Sequence, residues 1–423
     1  MSSVWSTFAK TSYTSRRAPV LGTFGVDKLE QIAREKLKES PDAFLYVFGS
    51  AGTGSTKEEN RKEFERWKIV PRVLRNVAGR NSETTLFGVK YPSPLLFAPV
   101  GAQGIVHADA EEASSAAAGK LGVPFIMSSA STRSIEAVAK ANGSGPRWFQ
   151  LYWGKTNDVM HSLITRAKTN GFSAIVFTVD SMMIGWRPFD LDTGYLPFGH
   201  GVGAQVGLTD PVFMRKVGLD VFPPDAKPEF PYVAARQDEL IAQGDKAATD
   251  SLKAGQAFVG EMLDPAKVWE DLAYLRKHWE GPLIIKGVLC AEDAELAIKH
   301  GADGIVVSTH GGRQIDGSIS SLLGLHQIMQ SPIVRTAQAE GRFTILLDSG
   351  VRTGSDIFKA LALGAQGVLY GRPVMYALAI AGQEGVEAQV RTVLADFEIT
   401  LGLAGYASVD ELRKNGEKAL VRI

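Results

Sequence analysis

The residues best suited to chemistry in this 423-residue chain lie between Gly304 and Ile315, in the order Gly-Ile-Val-Val-Ser-Thr-His-Gly-Gly-Arg-Gln-Ile. His310 can exchange a proton near neutral pH, and the planar fork of Arg313 can hold a carboxylate or a phosphate. Between them, Gly311 and Gly312 let the backbone turn tightly and admit a flat ligand. Gly304 to Ser308 is a short, β-branched apolar run that reads as a buried strand. A base and a cation therefore stand at the carboxyl end of a strand, an arrangement suited to an acid substrate. In isolation the same residues also fit a surface turn with an incidental His and Arg, so the rest of the chain must decide.

The elements that would position this stretch recur along the chain. Short apolar strands are expected at Leu95 to Pro99, Pro124 to Ser128, Trp148 to Leu151, Ala174 to Thr178, Leu283 to Lys286, Gly304 to Ser308, Thr344 to Asp348 and Gly367 to Tyr370. Amphipathic helices alternate with them, at Glu111 to Lys120, Ser134 to Lys140, Asp158 to Asn170, Pro265 to His278, Glu292 to Lys299, Leu322 to Met329 and Gly354 to Leu363. This alternation predicts an α/β fold, a closed (β/α)8 TIM barrel, in preference to an open doubly wound sheet. One connection is long: residues 192–263, rich in Gly and Pro, read as an insertion after strand four that covers the site like a lid. Upstream, Asp27 to Lys38 and Glu58 to Trp67 read as helices, the second exposed, and flank the aromatic run Phe44 to Phe48 and a glycine-rich segment. Trp5, Phe8, Tyr13 and Phe24 give the N-terminal arm something to bury.

A barrel assembles its site from residues at the carboxyl ends of its strands. Here those residues are Val100 and Gly101, Ser128, Gln150 and Tyr152, Thr178 and Asp180, Lys286, Ser308 with His310 and Arg313, Asp348 to Gly350 with Arg352, and Gly371 with Arg372. The glycines and arginines after strands seven and eight fit a phosphate site. By this reading alone the ligand is flavin mononucleotide (FMN), pyridoxal phosphate or a phosphorylated substrate. Lys286 suits either a Schiff base or a fixed cation beside an electron-accepting ring.

Composition narrows the classes. Lys plus Arg and Asp plus Glu both total 46, which leaves no net positive field to attract nucleic acid or an anionic membrane. The single cysteine, Cys290, excludes an intrachain disulfide and thiolate metal clusters, and reads as a small buried hydrophobe. No metal site is expected, and His107, His161, His200, His278, His300 and His326 carry no comparable signal. No apolar run approaches the roughly 20 residues of a membrane span. The arm from Met1 to Val26 lacks acidic residues, as transit peptides do, but the chain ends in Val421-Arg422-Ile423 and not in a peroxisomal address. A cytoplasmic location is expected, ahead of a mitochondrial or peroxisomal one.

Ser308 to Gln314, Leu347 to Arg352 and Gly371-Arg372-Pro373 together resemble the FMN-dependent α-hydroxy acid oxidase and dehydrogenase family. Within it, Gly185-Trp186-Arg187-Pro188 and Thr209-Asp210-Pro211-Val212-Phe213 are most similar to the lactate 2-monooxygenase subgroup. The likeness spans nearly the whole chain, arm included, and implies a single barrel domain over 1–423, with arm and helices over 1–90. It implies His310 as the base, oriented by Asp180; Arg187 and Arg313 on the substrate carboxylate; and Tyr46 and Tyr152 on its polar groups. Val100, Gly101, Ser128, Gln150, Thr178 and Ser308 would line the flavin, with Lys286 at its pyrimidine edge. Asp348, Ser349, Gly350, Arg352, Gly371 and Arg372 would take its ribityl and phosphate tail.

The implied activity is oxidation of a small L-2-hydroxy acid, with electrons passing to FMN and then to O2. The enzyme would end as an oxidase or, if the keto acid is retained, as a decarboxylating monooxygenase. An oxidase of an unusual alcohol and a flavin-binding member without turnover are the alternatives. A homo-oligomer, tetramer or octamer, is implied too. Two departures stand out. Thr309 replaces the family's usual Asn beside the base, and Ala130 replaces a tryptophan found in some members, which leaves room above the flavin for a larger acid.

Overall fold

In the computed structural model, residues 5–423 are described. Eight parallel strands close into a barrel: β1 (Leu95–Phe97), β2 (Phe125–Met127), β3 (Arg147–Leu151), β4 (Ile175–Thr178), β5 (Leu283–Val288), β6 (Gly304–Val307), β7 (Thr344–Leu347) and β8 (Gly367–Tyr370). Closure is made by β8 pairing with β1, Val368 beside Leu95 and Tyr370 beside Phe97. The expected (β/α)8 barrel is what the chain forms, strand for strand. The reason is visible in the burial pattern: six of the eight strands are buried at every position, as parallel strands sandwiched between a filled interior and a coat of helices must be.

Side chains alternate across each strand. Leu96, Ile126, Trp148, Val176, Ile284, Val306, Leu346 and Leu369 face inward and pack as one apolar layer. Their neighbours Leu95, Phe125, Phe149, Ile175, Leu283, Ile305, Leu347 and Val368 face outward, into the larger core shared with the helices. A hairpin that the sequence reading missed, Thr84–Leu86 paired with Val89–Tyr91, closes the amino end of the barrel. Leu86 and Tyr91 join the inner layer, and the rings of Phe87 and Tyr91 lie 5.6 and 6.4 Å from Trp148.

Several expectations need correction. The helix at Ser55–Arg66 is not an exposed one: Asn60, Glu63 and Phe64 are buried. Its charge-rich sequence hides a face that packs on the segments around His310 and Ser321. Pro265 to His278 is helical only from Trp269, as a 3-10 turn followed by Leu272–His278. The arm buries Trp5, but Tyr13 is 85% exposed and Phe24 51% exposed; residues 1–4 lie outside the described residues. Cys290 is only partly buried. A helix at Pro332–Ala339 and the pairing of Trp67–Ile69 with Leu420–Arg422 were not foreseen.

The 192–263 segment is largely helical, with Pro211–Val217, Ala234–Ala242 and Lys246–Met262 as its main elements. Buried Asp210 ties it to the barrel. The carboxylate caps the N–H groups of Val212 and Phe213, accepts a 2.6 Å hydrogen bond from Ser162 Oγ and pairs with Arg166 at 3.2 Å. No helix among the described residues is long and apolar enough to cross a membrane.

Trp148 fills the inner layer and meets the closing hairpin, so Trp148→Ala should destabilise the chain by about 3–5 kcal/mol. Chemical denaturation of both proteins checks this, the expected outcome being a clear fall in midpoint.

Candidate functional site

Two residues beyond the inner apolar layer, on the same inward side of each strand, come Ala98, Ser128, Gln150, Thr178, Lys286, Ser308, Asp348 and Gly371. The polar residues singled out in the sequence thus form the next layer of the barrel interior, at its carboxyl end. Above this floor lies a cavity of about 760 Å³. Its wall includes Tyr46, Val100, Gly101, Tyr152, Arg187, His310, Arg313, Ser349, Gly350, Arg352 and Arg372, together with Ser128, Lys286, Asp348 and Gly371 of the floor. Gln150, Thr178 and Ser308 are buried just beneath it, and Asp180 stands behind His310.

The centre of the site is a chain of charged groups. His310 Nδ1 lies 2.8 Å from Asp180 Oδ1, and Lys286 Nζ reaches Asp180 Oδ2 at 3.4 Å and Asp348 Oδ2 at 3.7 Å. Ser181 Oγ donates to Asp180 Oδ1 at 2.8 Å and lies 3.1 Å from His310 Nδ1. Burial by itself would raise the Asp180 pKa, but Lys286 and His310 outweigh it and hold the carboxyl well below its usual range. Burial would also discharge Lys286; Asp180 and Asp348 reverse that and raise its pKa. His310 is pushed below the ordinary histidine value, by burial first and by Lys286 as well, against the pull of Asp180. At pH 7 the imidazole is neutral, its Nδ1–H donating to Asp180. Nε2 has no hydrogen-bond partner among the described residues and is the atom free to take a proton.

Backbone geometry sets this arrangement. His310 has φ +54°, a left-handed conformation that is costly for a residue with a side chain. The turn is held by hydroxyls: Ser308 Oγ accepts from His310 N–H at 3.0 Å, and Ser349 Oγ accepts from Thr309 and Gly311 N–H at 3.2 and 3.0 Å. Thr309, the departure beside the base, turns its hydroxyl to Asn60 Nδ2, which donates at 2.8 Å. On the other side a β-bulge between Lys286 and Val288 brings the lysine against Asp180. Its Gly287 has φ +112°, and a Cβ there would lie 2.7 Å from Asp180 Cβ.

The two arginines are fixed by backbone and side-chain acceptors. Arg187 donates to the Arg313 carbonyl at 3.0 Å and to Gln314 Oε1 at 2.7 Å. Arg313 donates to the Tyr46 carbonyl at 2.5 Å, and its guanidinium lies 4.8 Å from the centre of the Tyr46 ring. Burial, then Arg313, lowers the Arg187 pKa to about 10. Desolvation, then Asp180, raises the pKa of the half-buried Tyr152 and keeps its hydroxyl protonated. Sequence reasoning missed Asp190, whose Oδ2 stands 4.0 Å from Arg187 and 3.9 Å from Arg313. It also gave no role to Gln314, which donates to the carbonyls of Asp180 at 2.8 Å and Met183 at 2.9 Å and so joins the arginine side to the base side. The signal for both was proximity in sequence to Arg187 and Arg313.

At the far end cations crowd together. Arg372 donates to the carbonyls of Val47, Gly311 and Gly49 at 2.8, 2.9 and 2.6 Å. Burial, with Arg313 and Arg352 nearby, lowers its pKa to about 9. Lys57, unnoticed in the sequence, lies 3.2 Å from the centre of the Phe48 ring, and burial together with Arg372 lowers its pKa to about 7. Buried cations that depress one another make a site for a polyanion, and the glycines at 350 and 371 admit its oxygens to the backbone. On the floor, Gln150 Nε2 and Thr178 Oγ1 are buried without a partner among the described residues. A planar ring with acceptors and donors along its edge, carrying a phosphate tail, fits both observations. A flavin nucleotide has that chemistry.

The model of the family described as FMN-dependent dehydrogenase matches residues 33–418. The chain is 44% identical over 387 residues to the FMN-dependent alpha-hydroxy acid dehydrogenase qulF of Penicillium citrinum, covering 92% of this chain and 88% of that protein. It is 39% identical to the L-lactate oxidase of Lysinibacillus sphaericus, over 91% of this chain and 90% of that one. The crystal structure of mandelate oxidase superposes with a TM-score of 0.74 at 33% identity, covering 93% of this chain and 97% of that one.

The charge balance at the base makes a prediction about titration. The ordinary histidine value is about 6.5, and His310 should titrate below it. Lys286→Met removes a cation that opposes the imidazolium, so the midpoint should rise; Asp180→Asn should lower it further. NMR titration of the imidazole in each protein reads the order directly.

Proposed function

The chain belongs to the FMN-dependent dehydrogenase family, and on that premise we propose that it oxidises an L-2-hydroxy acid to the 2-keto acid and delivers the electrons to O2. FMN is the cofactor. Bound on the barrel floor, it supplies the acceptor for two electrons. Gln150, Thr178 and Ser128 would meet the polar edge of its ring, with Val100 and Gly101 against its face. Lys286 would place a positive charge where electron density accumulates. The segment Asp348 to Arg352, with Gly371 and Arg372, would hold the ribityl chain and phosphate, and Lys57 would add its charge there.

The observation that carries the reading is His310, bonded to Asp180 at 2.8 Å, in one cavity with Arg187 and Arg313. The arginines would take the substrate carboxylate in charge-assisted hydrogen bonds and so fix the α-carbon in place. Tyr46 and Tyr152 would hold its remaining polar oxygens. His310 Nε2 would accept the proton released as the alcohol becomes a ketone, and Asp180 would stabilise the imidazolium that forms. Lys286 has a second part here. By sharing Asp180 it keeps the resting imidazole neutral, and so ready as a base.

We read the final outcome as oxidative decarboxylation of the lactate 2-monooxygenase kind, with release of keto acid and hydrogen peroxide as the oxidase outcome. Retention of the keto acid is the physical difference between them. In the first case the keto acid and hydrogen peroxide yield the carboxylic acid one carbon shorter, carbon dioxide and water. Supporting retention, the 192–263 segment contributes Tyr195, Leu196, Phe198 and Met262 to the cavity wall.

His310→Ala should keep FMN bound but slow anaerobic bleaching of the flavin by L-2-hydroxy acids by about 10²–10⁴-fold. Stopped-flow absorbance measures this, and unchanged reduction would remove His310 from the role of base. Assay of the aerobic products for carbon dioxide against hydrogen peroxide decides between the two outcomes.

A further inference from the structure

The cavity has two chemically distinct sides. The charged groups all lie on barrel strands or on the segments that follow them, and the segment 192–263 adds one polar atom, the Tyr195 hydroxyl, buried and without a partner among the described residues. From residues 192–263 the wall receives Gly194, Tyr195, Leu196, Phe198, Val259, Met262 and Leu263, of which none is charged. The loop between β4 and that segment adds more apolar surface, and much of it is bare. Met183 is 60% exposed, Ile184 46% and Trp186 73%, although each lines the cavity, as does Leu196 of the insertion at 42%. Large apolar side chains left open around a concave site mark the place of an apolar ligand group.

Tyr46 joins the two sides. Its ring is 4.8 Å from the Arg313 guanidinium, and it lies 6.0 Å from the Tyr195 ring and 6.4 Å from the Phe198 ring. Tyr46 thus touches both the arginine side of the one cavity and its aromatic wall. A methyl group on the α-carbon would stop short of it, whereas a branched or aromatic side chain would reach it. Two further features shape the space. Ala130, in the wall above the floor, takes little volume. Asp190, about 4 Å from both arginines, already offsets part of their charge, so a second substrate carboxylate would find repulsion there and no cation on the apolar wall.

We propose that the preferred substrate is a 2-hydroxy monocarboxylic acid with a bulky apolar side chain, received by the wall formed by Tyr195, Leu196, Phe198, Val259 and Met262. This rests on the activity proposed above. The wall acts as a specificity device and takes no part in proton or electron transfer. Its contribution follows from burial: each methylene-sized group accommodated in an apolar pocket discriminates by roughly 10–200-fold.

The test is kcat/KM of the FMN-loaded enzyme for L-lactate, L-2-hydroxy-4-methylpentanoate, L-3-phenyllactate and L-malate, each paired with anaerobic flavin reduction. The two bulky acids should exceed lactate by at least about 10-fold, and malate should fall below lactate. Val259→Asp, which puts a charge on the apolar wall away from the arginines, should lower the ratio of phenyllactate to lactate by a similar factor through KM. Lactate matching or exceeding the bulky acids, or a ratio unmoved by Val259→Asp, overturns this inference and leaves the activity standing. Failure of all four acids to reduce the flavin overturns the activity, and this inference with it.

Discussion

Everything at the centre of this molecule answers to one carboxylate shared between a lysine cation and a histidine. Asp180 is largely enclosed, and Lys286, His310 and Ser181 hold it ionised against the cost of desolvation. Sharing it has a consequence for each partner. Lys286 is kept charged inside the barrel, and His310 is oriented by the carboxylate without being fully charged by it. The backbone is shaped to permit this: the bulge at Gly287 opens the space in which Asp180 sits, and the left-handed turn at His310 carries the ring over to it. Strain at the turn is offset by hydroxyl groups from Ser308 and Ser349, which belong to two neighbouring strand ends.

Support for this centre comes from outside the barrel as well as from it. The helix Ser55–Arg66 reaches the base loop through Asn60, and Asp316 at the end of that loop accepts hydrogen bonds from Thr53 and Ser55. The arm region thereby becomes part of the site, because it fixes the far side of the loop that bears His310 and Arg313. Tyr46 enters the cavity from the helix Pro41–Phe48 for the same reason. The insertion is anchored at Asp210 and at Glu261, whose carboxylate takes the Thr156 N–H at 2.6 Å and Lys216 at 2.7 Å.

The barrel could be read in the sequence because parallel strands need continuous apolar runs, and eight such runs alternate with amphipathic stretches. Site residues at strand ends could be read for a related reason. Ser128, Gln150, Thr178, Lys286, Ser308 and Asp348 follow inward-facing apolar residues by two positions, so the same periodicity that buries one layer exposes the next. What could not be read was contact between distant segments. Asn60 and Lys57 sit in a run of charges that looks like a solvated helix, and only the fold reveals which face is covered. Asp190 looked like one more acidic residue after an arginine until Arg313 arrived from a position more than a hundred residues away. The closing hairpin was missed because its strands, Thr-Thr-Leu and Val-Lys-Tyr, carry no continuous apolar run.

That hairpin, seated under Trp148, also determines how traffic through the enzyme must run. With its amino end stoppered, the barrel is a blind well, and whatever enters from the carboxyl side must leave by the same mouth. The floor is therefore reached from the carboxyl side, where Met183, Trp186 and Leu196 line the cavity. The side from which the floor can be approached is thus set at the end of the barrel farthest from it.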